Sequence, residues 1–165
     1  MQTFSTVSVL MSGRQICTLA LVALFCCAGL TTVQAQMSIA GGNILMNITT
    51  AQAGQEPLAV SNSSCTLTFK RQASVSKITV STSCPNQKFT LQVVAVNPTD
   101  GVAAPQITLV NGMLAASLIT NIPALPPAAN RTCTLSYTAS ATFAQGNSVE
   151  LGNDVHTVTY TIVAQ

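Results

Sequence analysis

Six cysteines, one histidine and a few acidic residues are the groups in this chain that could do chemistry; Cys17, Cys26 and Cys27 lie in an apolar N-terminal run, which leaves three for the rest of the chain. Cys65 opens "CTLTFK", Cys84 closes "KITVSTSC" and Cys133 opens a later "CTLSY". His156 is the single histidine and follows Asp154 by two residues. Residues two apart on a strand share a face, so Asp154 and His156 could form half of a metal site. Spacing supplies no third ligand, and a solvated pair at a strand entrance is the simpler reading. A nucleophilic thiol needs a base, and the sequence places His156 near none of the cysteines. Glycoside hydrolysis needs two positioned carboxylates, whereas Glu56 and Glu150 fall in turn-rich stretches. The expectation is a protein that is not an enzyme and has no metal or cofactor.

The cysteines have a second use. Cys65 shares a face with Leu67 and Phe69, and Cys84 with Ile78 and Val80, so both point toward a common interior. A Cys65–Cys84 bridge is the expected pairing. It would close a loop of about 20 residues and contribute roughly 3 kcal/mol in the chain-entropy model. Cys65–Cys133 and Cys84–Cys133 remain open alternatives. The cysteine left over, Cys133 in the favoured pairing, is a buried free thiol or an intermolecular link. Its inward position beside Leu135 favours the first.

An oxidising compartment follows from the N-terminus. Arg14 is the only charge before Glu56, and "ICTLALVALFCCAGL" is an apolar run of about fifteen residues, short of the roughly 20 a spanning helix needs. "TTVQAQ" follows with small residues. Residues 1–35 therefore read as a secretory signal peptide, cleaved after Ala35. Residues 36–165 are then one secreted domain with no membrane span. It is destined for the periplasm, the cell surface or the medium.

That domain keeps five bases (Lys70, Arg71, Lys77, Lys88, Arg131) against four acids (Glu56, Asp100, Glu150, Asp154). No basic patch for nucleic acid can be built from them. Charged residues make up 6% of the chain, against about 25% in ordinary soluble proteins. A surface of Ser, Thr, Asn and Gln is weakly protected against association, which fits either a plain secreted β-protein or one covered by neighbouring copies.

The elements that must position these residues are strands. Period-two segments rich in Thr, Val and Ile recur between turn residues: "GNILMNITT", "CTLTFK", "KITVSTSC", "KFTLQVVAV", "QITLV", "CTLSYTASATF" and "VHTVTYTIV". "MLAASLI" reads as a strand with a helical turn as the alternative. Asn111-Gly112 is a strong hairpin signal. "NIPALPPAANR" cannot be a central strand and reads as a loop crossing between sheets. Seven to nine short strands in about 130 residues predict an all-β protein, an immunoglobulin-like β-sandwich. A small β-barrel is the alternative.

Three features of this layout resemble secreted bacterial pilin-like subunits of the spore coat protein U and chaperone–usher fimbrial type. An alternating segment, "AGGNILMNI", follows the signal. A cysteine on an early strand is followed by one closing a later strand, in "CTLTF…KITVSTSCPNQKFTLQV". The chain finishes in a Thr/Val strand with a tyrosine, "DVHTVTYTIV". The resemblance implies an incomplete sandwich completed by β-strand addition from a neighbouring subunit. Ala40, Gly42, Ile44, Met46 and Ile48 would then form the donor strand, and further copies or related subunits would be the partners. The same residues also suit an ordinary first strand. The functional expectation is an exported structural or adhesive subunit. A soluble monomeric binding module for a carbohydrate or protein is the alternative, weakened by having no Trp and few aromatics.

Overall fold

The computed structural model describes residues 37–50, 53–124, 129–146 and 148–165. The expected signal peptide, residues 1–35, lies outside them, as does part of the proline-rich loop. Among the described residues no helix is long and apolar enough to cross a membrane.

Among the described residues nine strands form two antiparallel sheets. They are β1 (Met37–Ala40), β2 (Val60–Lys70), β3 (Ser76–Ser83), β4 (Thr90–Val96), β5 (Val102–Ala103), β6 (Ile107–Leu109), β7 (Ala116–Ile122), β8 (Asn130–Ser140) and β9 (Thr157–Ala164). One sheet has the order β1-β2-β8-β4-β6 and the other β5-β7-β3-β9. The fold is the expected all-β sandwich; the sheets do not close into a barrel. Among the described residues helical structure is confined to a single 3-10 turn, Phe143–Gln145, and one short turn of helix, Ser148–Leu151.

After β2 every connection carries the chain from one sheet to the other. Sequence neighbours therefore face each other across the core, and only β1 and β2 are both consecutive and paired. The interior alternates as the period-two pattern requires. Leu67, Phe69, Val93, Leu109 and Leu135 come from one sheet and Ile78, Val80, Leu118, Ile119, Ile122 and Tyr160 from the other, all fully or almost fully buried. Each such side chain contributes about 1.5–3 kcal/mol by leaving water. Consecutive Leu118 and Ile119 both reach the core because the β3–β7 register shifts beside Ile78, as an inserted bulge residue permits.

Two local expectations change. Asn111-Gly112 does not make a hairpin, since β6 pairs with β4 while β7 pairs with β3 and β5. Gly112 takes the positive φ of 71°, but the turn docks on the end of β3. The Gly112 N–H donates to the Thr82 carbonyl (3.1 Å), and the Asn111 side-chain oxygen accepts the Cys84 N–H (2.8 Å). A turn signal records local φ preference and not which sheet the next strand joins. The second change concerns "GNILMNITT". The ladder falls earlier, on β1, and residues 42–50 run without strand pairing, with Ile44 and Met46 packed against the core. Gly41 is the pivot. Its φ is +75°, and a Cβ there would sit 2.6 Å from the Ser64 carbonyl oxygen, so only glycine lets the chain leave β2 at this point.

Candidate functional site

The β3–β9 ladder pairs Ser83 with Thr157, and one step further along the same register sets Cys84 opposite His156. Asp154, two residues before His156, completes a group of three. One ligand-type atom from each of Cys84, Asp154 and His156 lies within 4.8 Å of the others. The Asp154–His156 pair read from the sequence thus gains a third member that spacing could not name. Cys84 arrives from the neighbouring strand, seventy residues earlier in the chain.

Each member is held by a further contact. The Cys84 N–H is fixed by Asn111. Asp154 accepts hydrogen bonds from the backbone N–H of Lys88 (2.9 Å) and Phe89 (2.7 Å). Thr82 Oγ1 lies 3.3 Å from His156 Nδ1 and donates its hydroxyl proton to the Thr157 carbonyl.

The electrostatics oppose a nucleophilic thiol. Cys84 is 1% exposed. Burial pushes its thiol up, the Asp154 carboxylate adds to this, and a backbone hydrogen bond from Val155 offsets part of it. Burial pushes His156 down, partly countered by Asp154. A reactive cysteine sits in an electropositive, accessible setting; Cys84 does not. Nor do the three form a relay, because Asp154 is engaged by Lys88 and Phe89 and His156 by Thr82.

The other cysteines lie deeper. Cys65 and Cys133 face the core from adjacent strands, Cys65 opposite Leu135 and Leu67 opposite Cys133. Cys65 donates its thiol hydrogen to the Gly41 carbonyl (2.8 Å). Cys65 and Cys133 share the core cluster with Tyr160, whose strand partner is Val80. Cys84 stands four residues beyond Val80, about 13 Å of strand. The expected Cys65–Cys84 bridge is not formed, and the three cysteines among the described residues are free thiols. Inward parity was read correctly, but the heights of the two cysteines along the sandwich differ. Cys133 is 3% exposed, which suits the buried-thiol reading rather than an intermolecular link.

The expected donor-strand residues divide. Ala40 closes β1 and is exposed. Gly42 lies beyond the Gly41 pivot. Ile44, Met46 and Ile48 are half-buried and alternate with exposed neighbours.

The sequence reading missed one ionic cluster. Arg71 makes two hydrogen bonds of 2.6 Å to Asp100. Arg131 Nε stands 2.6 Å from the same carboxylate, with its N–H not directed at it. Asp100 lies in a turn and Arg131 on β8, so no local pattern links them.

The chain matches no known family model, no curated protein and no solved structure.

Proposed function

We propose that the protein is an exported, non-catalytic structural subunit that assembles by β-strand addition. The observation that carries this reading is the edge at β9. Three of the four edge strands are very short: β1 has four residues, β5 two and β6 three. Short edges are a standard defence against unwanted pairing. The fourth, β9, has eight residues, "TVTYTIVA", with no charge and no proline. It pairs with β3 on one side and with no described strand on the other. Its outer row of backbone N–H and C=O groups is a template for another extended segment.

The N-terminal segment supports the same reading. Beyond Gly41 it presents alternating apolar residues and makes no strand ladder with its own domain. A copy of Gly42–Ile48 laid along β9 of a neighbour would gain backbone pairing that it lacks at home, and Ala40 would have to leave its β1–β2 ladder to join it. The low charge of the surface offers little electrostatic resistance to such contacts.

The test is an unheated and heated gel, without reductant, of the chain exported to an oxidising compartment. The expected result is a ladder that collapses on heating and disappears in Thr159→Lys, which places a charge at the middle of the edge. Monomer in both lanes for the unaltered chain, confirmed by sedimentation, would reject self-assembly and return the protein to the monomeric binding module.

A further inference from the structure

Cys84, Asp154 and His156 bring a thiol, a carboxylate and an imidazole together at the entrance of β9. We propose that they form a zinc site. A thiolate, an imidazole and a carboxylate together suit a borderline-soft divalent ion and not Ca²⁺ or Mg²⁺. With bonds of about 2.0–2.3 Å, tetrahedral zinc holds its ligand atoms about 3.5 Å apart. The three atoms lie within 4.8 Å of one another, so closure needs a movement of about 1 Å. Residues 152–156 run without strand pairing before β9, so the approach of Asp154 and His156 to Cys84 breaks no strand ladder.

The supporting contacts are those that metal ligands require. The Thr82 contact orients the imidazole, and the Lys88 and Phe89 N–H groups orient the Asp154 carboxylate. No lysine or arginine ion pair occupies this carboxylate among the described residues. Coordination replaces the Cys84 S–H bond by a zinc–sulfur bond and releases that proton to solvent, so one proton leaves per metal bound at neutral pH. Three protein ligands leave one tetrahedral position for water.

The experiment is titration of the reduced, folded chain with Co²⁺ and with Zn²⁺. One equivalent of Co²⁺ should produce a thiolate-to-cobalt charge-transfer band, and Zn²⁺ should displace it and raise Tm. His156→Gln should weaken Zn²⁺ binding at least tenfold while the circular dichroism spectrum is kept, and Cys84→Ser should abolish the band. Should Cys84→Ser fail to fold, His156→Gln carries the decision alone, since His156 is only half-buried. No band with the unaltered chain, or an undiminished band in His156→Gln, overturns the assignment.

Discussion

The hydroxyls of Tyr137 and Tyr160 meet 2.5 Å apart in the core, one from β8 and one from β9, and so tie the two sheets together. Tyr137 is 8% exposed and Tyr160 1%. Neither hydroxyl could be buried alone without leaving a polar group unsatisfied. Tyr160→Phe should therefore cost about 1–3 kcal/mol, because it strands the Tyr137 hydroxyl. The double variant Tyr137→Phe/Tyr160→Phe should be less destabilised than the two single costs combined. A double-mutant cycle by urea denaturation measures the difference. Additive losses would mean that the hydroxyls do not depend on each other.

The same burial sets an alkaline limit. Desolvation pushes Tyr137 up to about 12, with the Tyr160 hydrogen bond partly opposing, and Cys133 up to about 11. Tyr160 is pushed higher still, chiefly by burial. These groups hold their protons in the folded chain after the unfolded chain has lost them. Their contribution is fully present below the unfolded values, 9.0 for cysteine and 10.0 for tyrosine, and is lost as pH rises through the folded ones. Stability should fall steeply above pH 10, with tyrosinate absorbance appearing together with loss of β-sheet circular dichroism.

At the acid end Asp100 and His156 act in one direction. The Arg71 hydrogen bonds hold Asp100 below the ordinary carboxylate range despite burial, with Arg131 and Arg71 charges adding to the effect. A depressed carboxyl contributes stability above its unfolded value and loses it as pH falls through the folded one. His156, depressed by burial, likewise contributes above its unfolded value and loses that as pH falls. Asp100→Asn should cost about 1 kcal/mol at pH 7, a low figure for a charged hydrogen bond because water screens part of it. The difference from the parent chain should shrink as pH falls toward 3, read from urea midpoints at each pH.

Thiol titration checks the unpaired cysteines. Cys65, Cys84 and Cys133 are 2%, 1% and 3% exposed. The chain lacking residues 1–35 should show almost no fast reaction with a thiol reagent when folded and release three equivalents in denaturant. One equivalent in denaturant, without reductant, would mean that one pair has formed a bridge.

Leu135→Ala removes a fully buried side chain from the central strand of its sheet. It should destabilise by about 2–5 kcal/mol through lost burial and the cavity left behind. A loss below 1 kcal/mol would show that the core collapses around the gap.

Much of this protein was legible in the linear chain. Strand alternation reports which side of a sheet a residue faces, because successive side chains must point oppositely. Leu67, Phe69, Ile78, Val80, Leu135 and Tyr160 were thus identifiable as interior, as were the inward faces of Cys65, Cys84 and Cys133. The all-β class follows from the same periodicity, and the weak electrostatics follow from composition. Only the tertiary structure decided who meets whom. The chain changes sheet at each connection after β2, so proximity in sequence says little about height or neighbours in the sandwich. That is why Asn111-Gly112 crosses instead of returning, and why Cys65 and Cys84 stand apart. It is also why Asp154 and His156 acquire Cys84: register between β3 and β9 is a long-range pairing, set by the packing of both faces and carried by no local signal.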